Sequence, residues 1–398
     1  MPTAAAGRGA ASPAEAIAVG QLVLKVVSAC NLNCSYCYVY HGKDDGYRNR
    51  PGLLSEELTG VLIARIREYC AERPGHRIGV CLHGGEPLLL GQERFRALVE
   101  RLRREAGSAL GSLNVQTNAT LIDAEWARLL KELRISVSVS LDGPLEINDV
   151  ARVDHMGRGS TDRTLAGIRH LMDAGVHVAV LSVVRPGANG AETYHYLRSI
   201  GITDLDFLLP DLTHDDWRAQ YGTYGPTPVA DYLLPALDAW LAEDNPDVSI
   251  RFFSDIFRLI MGDTGTTDAF GGGPMPYAII ETDGSIQAND ALRVCEAALN
   301  HTGLNITSHG FDDLRQASPL ARALFEGTIP PPEACGACPE LRTCGGGYMP
   351  HRYSRERLFD NPSVWCADIL KLFRHMRAIV NADASLSHRV EAGGEFAL

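Results

Sequence analysis

Along the first 245 residues, short apolar runs rich in β-branched residues alternate with longer stretches whose apolar positions recur at helical spacing. The runs predict strands over Leu22–Val27, Ile78–Leu82, Leu113–Thr117, Ile135–Ser140, His177–Val184 and Asp204–Leu209. The longer stretches predict helices over Ser55–Cys70, Gln92–Glu105, Asp123–Glu132, Thr161–Ala174, Ala191–Ile200 and Val229–Glu243, several opened by Ser, Thr or Asp in capping positions. Such alternation implies a parallel sheet with helical crossovers, because parallel neighbours cannot be joined by a tight turn. Six units are fewer than the eight that close a full barrel, so the expected fold is α/β, a partial (β/α)6 barrel open on one side and able to admit a large substrate.

Parallel α/β folds carry their chemistry on loops at the carboxyl ends of the strands. The reactive motifs fall there: Cys30 after strand one, Gly84-Gly85-Glu86 after strand two, Asn118 after strand three, Ser140-Leu141-Asp142 after strand four, and Arg185 and Asp211 after strands five and six. Beyond residue 245 the pattern changes to glycine-rich turns and cysteines. The expected organisation is a flexible tail over 1–18, the barrel over 19–245, a loop-rich metal-bearing module over 246–378 and a tail over 379–398.

Composition narrows the function. The formal net charge is −12 and no Lys/Arg block stands out, which disfavours a sequence-independent grip on nucleic acid. No secretory signal and no run approaching ~18 apolar residues is present, so a cytoplasmic protein without a membrane span is expected. In that setting ten cysteines point to metal or redox chemistry rather than disulfides.

Cys30, Cys34 and Cys37 place three soft thiolate donors within eight residues. A structural zinc site is closed by four protein ligands; a catalytic cluster needs one iron left open. The spacing, with an aromatic before the last cysteine, resembles that of the radical S-adenosylmethionine (SAM) superfamily. The resemblance implies a [4Fe-4S] cluster whose fourth iron binds SAM and cleaves it to a 5′-deoxyadenosyl radical, with an electron donor such as flavodoxin or ferredoxin. It also implies that Gly84 and Gly85 let backbone approach SAM, that the Glu86 carboxylate meets the SAM ammonium group, and that Asn118, Ser140 and Asp142 bond the ribose. Arg152 would pair with the SAM carboxylate, and Tyr36 would lie near adenine.

Cys335, Cys338, Cys344 and Cys366 can close a second metal site, and ligand chemistry alone leaves a zinc ribbon open. After a radical SAM barrel the spacing looks like the SPASM extension, which implies an auxiliary [4Fe-4S] cluster. The full SPASM pattern has seven cysteines and two auxiliary clusters; here Asn289 and Tyr348 stand at two of its cysteine positions, so one auxiliary cluster is expected. Cys295 is a candidate substitute ligand or a small buried hydrophobe, and Cys70 and Cys81 are expected in the core.

The chain further resembles FxsB-type cyclophane-forming radical SAM/SPASM peptide maturases. This resemblance is carried by Gly84-Gly85-Glu86-Pro87, Ser140-Leu141-Asp142-Gly143-Pro144, Leu208-Leu209-Pro210, Glu281-Thr282-Asp283-Gly284-Ser285, Cys344-Gly345-Gly346-Gly347, Pro350-His351-Arg352-Tyr353 and Asp360 to Asp368. It implies a ribosomally made precursor peptide as substrate and a carbon–carbon crosslink between a β-carbon and an aromatic ring. Thioether formation, epimerisation and sulfatase-type oxidation would use the same cofactor motifs, and a zinc-binding interaction protein is the alternative outside enzymes. The proton released on crosslinking needs a base: resemblance to the sulfatase maturases, whose catalytic aspartate follows the cysteine replaced here by Asn289, implies Asp290 as the first candidate, and Asp211 at the end of strand six is the second.

Overall fold

The computed structural model describes residues 17–382. Residues 1–16 and 383–398 of the two expected tails lie outside the described residues; Ile17 and Ala18 pack against the core, and residues 379–382 continue a helix. Eight strands run parallel: β1 (Gln21–Val27), β2 (Ile78–Gly84), β3 (Leu110–Thr117), β4 (Ser136–Ser140), β5 (Val178–Val183), β6 (Asp204–Leu208), β7 (Ser249–Ile250) and β8 (Tyr277–Ile280). β9 (Ser285–Gln287) and β10 (Leu304–Asn305) add antiparallel. The order across the sheet is β10-β9-β8-β1-β2-β3-β4-β5-β6-β7.

The six expected strands all form, within three residues of their expected ends. So do the six expected helices, as α1 (Glu56–Ala71), α2 (Gln92–Ala106), α3 (Ala124–Glu132), α4 (Thr161–Asp173), α5 (Gly190–Ser199) and α6 (Pro228–Glu243). Short polar side chains begin several of them by taking backbone N–H groups that have no partner inside the helix. Ser55 accepts from Leu58, Asp123 from Glu125 and Trp126, and Asn189 from Ala191. The helices bury the sheet's apolar positions: Leu22, Leu24, Val115, Val139, Val180 and Leu205 have no exposed surface.

The structure adds one feature that periodicity did not suggest. The expected boundary at residue 245 does not interrupt the sheet. β7 extends it beyond β6, and β8 pairs with β1, from Gln21 opposite Tyr277 to Leu24 opposite Ile280. The later region is thus built onto both edges of the barrel, satisfying backbone groups that edge strands would leave unpaired. Helices α7 (Arg251–Met261) and α8 (Cys366–Ala382) pack together and α8 lies on α6. Asp368 of α8 accepts the N–H groups of Val229 and Ala230 at 2.7 and 2.9 Å, capping α6 from another part of the chain.

Candidate active site

The cysteine loop leaves β1 at the carboxyl edge of the sheet and lies against residues 151–153, with the Asn33 N–H donating to Val153 O and the Ser35 N–H to Ala151 O. Two glycines at the end of β2 let it approach. A Cβ on Gly84 would fall 2.2 Å from Val27 O, and one on Gly85 would fall 2.0 Å from the Tyr40 hydroxyl and 2.1 Å from Ala29 O. The glycines therefore make room for the cysteine loop itself. Cys30, Cys34 and Cys37 are free and half-buried. Burial pushes the Cys30 thiol up to about 12, with Glu86 and the neighbouring thiols adding to the rise. Burial also raises Cys34 and Cys37.

Around this loop the expected SAM contacts divide. The Tyr36 hydroxyl donates to Asp142 at 2.6 Å and accepts from Arg152 at 2.7 Å, joining three expected residues into one buried group. Arg152 is 7% exposed and its Nε is buried without a partner, a cation with donor capacity to spare for a carboxylate. Asn118 donates to Asn31 at 2.9 Å, anchoring the cysteine loop to the end of β3, and Ser140 accepts from Gln116 at 2.9 Å. Glu86 has no exposed surface, and its carboxylate accepts from Leu88 N, Thr117 Oγ1 and Asn118 N at 3.1, 2.7 and 2.8 Å. Strand ends buried here need acceptors for their free donors, and Glu86 supplies them.

The two candidate bases sit in opposite electrostatic settings. Asp290 is ion-paired to Lys25 and to Arg293 Nε at 2.6 Å, and accepts from the Tyr38 hydroxyl at 3.3 Å. Burial alone would raise its pKa, but the two cations outweigh that and hold it well below the usual carboxylate range. Arg293, 1% exposed, also binds Asp44 and Glu281 at 2.8 and 2.5 Å. Asp211, at the end of β6, has no cationic partner of this kind. Burial, then the nearby charges of Asp268 and Asp290, raise it to about 7. Lys25, Tyr38, Asp268 and Arg293 escaped the sequence reading, and His351 entered it only within the Pro350-His351-Arg352-Tyr353 motif; the available signal was Lys25, the single charge in the apolar run Leu22–Val27.

Cys335, Cys338, Cys344 and Cys366 form a separate group: burial pushes Cys344 to about 12 with the other three thiols adding to the rise, and burial raises Cys366 with Cys335 and Cys338 adding. Cys295 lies apart, fully buried near Lys43, Asp211 and Glu296, and Cys70 and Cys81 are buried in α1 and β2 as expected. At the Asn289 site a hydrogen-bonded chain replaces a thiol: Asn289 donates to the Tyr277 hydroxyl at 3.1 Å, which donates to Asp268 at 2.9 Å. Among the described residues no three His, Cys, Asp or Glu are gathered tightly enough for a single ion. Two sets of free soft donors, one of three and one of four, suit iron–sulfur clusters, and the set of three leaves one iron for another ligand.

Residues 24–200 match the model of the Radical SAM superfamily. A cysteine-type anaerobic sulfatase-maturating enzyme of Clostridium perfringens (strain 13 / Type A) is 25% identical over 361 residues, 89% of this chain and 95% of the relative. A serine-type anaerobic sulfatase-maturating enzyme of Bacteroides thetaiotaomicron is 26% identical over 355 residues, 84% of this chain and 83% of the relative. The solved structure of native anSMEcpe with bound AdoMet and Cp18Cys peptide superposes with a TM-score of 0.75 at 25% identity, covering 91% of this chain and 99% of that one. Streptococcus suis SuiB bound to its precursor peptide SuiA shares the fold, with a TM-score of 0.56 at 15% identity over 84% of this chain and 72% of that one. No helix among the described residues is long and apolar enough to cross a membrane.

Proposed function

We propose, from the premise that this chain is a radical SAM enzyme related to the anaerobic sulfatase-maturating enzymes, that it removes two electrons and two protons from a peptide, beginning at a β-carbon. The observation that carries this reading is the set of three free thiols in the loop after β1; burial and the nearby charges of Asp268 and Asp290 raise Asp211 to about 7, a setting suited to a base. When bound, the cluster and SAM supply a 5′-deoxyadenosyl radical that takes a hydrogen atom.

The chain's own residues do the rest. Cys30, Cys34 and Cys37 would hold the cluster, the spare donors of Arg152 would hold the SAM carboxylate, and the Tyr36–Asp142 pair fixes the guanidinium. Asp211 accepts the proton. A base works best with a pKa close to the operating pH, which Asp211 meets and Asp290 does not. Asp290 instead neutralises Lys25 and Arg293 beneath the site. Cys335, Cys338, Cys344 and Cys366 would hold a second cluster, which would supply an acceptor for the remaining electron.

Two products satisfy this balance. The relatives' names favour sulfatase-type oxidation of a cysteine or serine side chain. Asn289 and Tyr348, in place of two SPASM cysteines, favour the crosslink to an aromatic ring that the FxsB-type resemblance implies. Anaerobic incubation with SAM, reductant and either a cysteine-centred synthetic peptide or one with an aromatic residue two positions from a β-methylene separates them. The first product is an aldehyde, formed from cysteine once water displaces sulfide from the oxidised side chain, and its capture by a hydrazine reagent identifies it. Loss of two hydrogens without an aldehyde, and with no fragmentation between the joined residues, identifies the second. Deuterium exchange at unchanged composition would overturn both.

A further inference from the structure

His351 sits on the short helix Met349–Arg352, 2% exposed, and neither ring nitrogen makes a hydrogen bond of normal geometry. Leaving a buried polar group unpaired is costly, so such groups in native proteins call for an explanation. Its Nε2 lies 3.9 Å from Asp211 Oδ1. The ring stands edge-on to Tyr348 and Trp365, with centroids 5.1 and 6.4 Å away. Three bonds lock the two partners together: the Trp365 indole N–H donates to Pro210 O, the His214 N–H to Tyr353 O, and the Val364 N–H to His351 O. The loop carrying Asp211 and the segment carrying His351 are therefore held in register by contacts that involve neither side chain.

Resting on the reading of Asp211 as the base, we infer that His351 is its positioning partner: a neutral imidazole that accepts a hydrogen bond from the protonated carboxyl group, directly after a small rotation or through one water. The other groups around Asp211 have partners of their own: Asp268 accepts from Tyr277, Asp290 is ion-paired to Lys25 and Arg293, and Tyr38 donates to Asp290, while Tyr348 and Cys295 carry buried O–H and S–H groups suited to donating to the ionised form. His351 itself faces the Pro210 carbonyl and His214, and burial lowers its pKa to about 3, so it stays neutral and keeps a lone pair to offer. The proton lost by the peptide then passes to the Asp211 carboxylate and is stabilised there by the imidazole; no bond to His351 is made or broken.

The test uses the cluster-loaded full chain. Infrared difference spectra between the wild type and Asp211→Asn isolate the Asp211 carboxyl band, whose midpoint is followed from about pH 5 to about pH 9. His351→Phe keeps a ring but offers no acceptor and is expected to move that midpoint down by about one unit. With the two synthetic peptides above, product formed per 5′-deoxyadenosine is expected to fall by up to about fivefold near pH 7, with iron content and SAM cleavage unchanged. His351→Gln, which retains an acceptor, is expected to recover part of both effects and serves as the decisive variant if the Phe variant loses iron. An unmoved or raised midpoint in His351→Phe overturns the inference, as does a raised one in His351→Gln. Full product from Asp211→Asn would instead remove the base assignment beneath it.

Discussion

Lys25 interrupts an otherwise apolar strand, and its ammonium group opens a chain of buried charge running through Asp290 to Arg293 and on to Asp44 and Glu281. Removing one member of such a network leaves its partners charged and unsolvated. Arg293→Met is therefore expected to destabilise the protein by about 3–5 kcal/mol, seen as a lower denaturant midpoint; an unchanged midpoint would mean the network is not formed. Asp211 differs in kind. Its carboxyl accepts a proton only when ionised, so product formation is expected to be low in acid and to rise through about pH 7, and Asp211→Asn to lose about a hundredfold or more in product while still cleaving SAM. The stability linkage runs the other way. A folded pKa raised to about 7 means the native state binds this proton more tightly than the unfolded chain, so the contribution is present in acid and is lost as pH rises toward 7.

At the scale of elements, the site depends on how closely the cysteine loop can lie on the end of β2. Gly85→Ala places a methyl group where the Tyr40 hydroxyl and the Ala29 carbonyl stand. The loop must shift, and iron is expected to fall from about eight to about four per chain as the first cluster is lost and the second kept. Full iron content in this variant would contradict the packing described. Strands and helices of the barrel were legible because each buries one face, or two, at its own period, and caps such as Ser55 and Asp123 mark the starts. The cysteine spacing was legible because ligation by a short loop is local. The hydrogen bonds that Glu86 accepts from Thr117 and Asn118 were hidden, because those partners come from another strand end. The relative merit of Asp290 and Asp211 was likewise hidden, since Lys25 lies far from Asp290 in sequence.

For the molecule as a whole, the sheet is continuous across the point where composition changes. β8 was invisible to periodicity because four residues are too few to show a pattern, and its pairing with β1 joins positions far apart in the chain. A chain ended at residue 245 would expose the β1 edge and strip Arg293 from Asp44. It is expected to be insoluble or unable to hold the first cluster, although every ligand of that cluster remains; a soluble fragment with four irons would show the barrel to be independent. The central claim is that one iron beside Cys30, Cys34 and Cys37 is left for SAM. Electron paramagnetic resonance of the reduced, cluster-loaded protein with and without SAM tests it most directly. Two cluster signals are predicted, one of them changed by SAM and absent from Cys30→Ala. Spectra that SAM leaves unaltered would contradict the account.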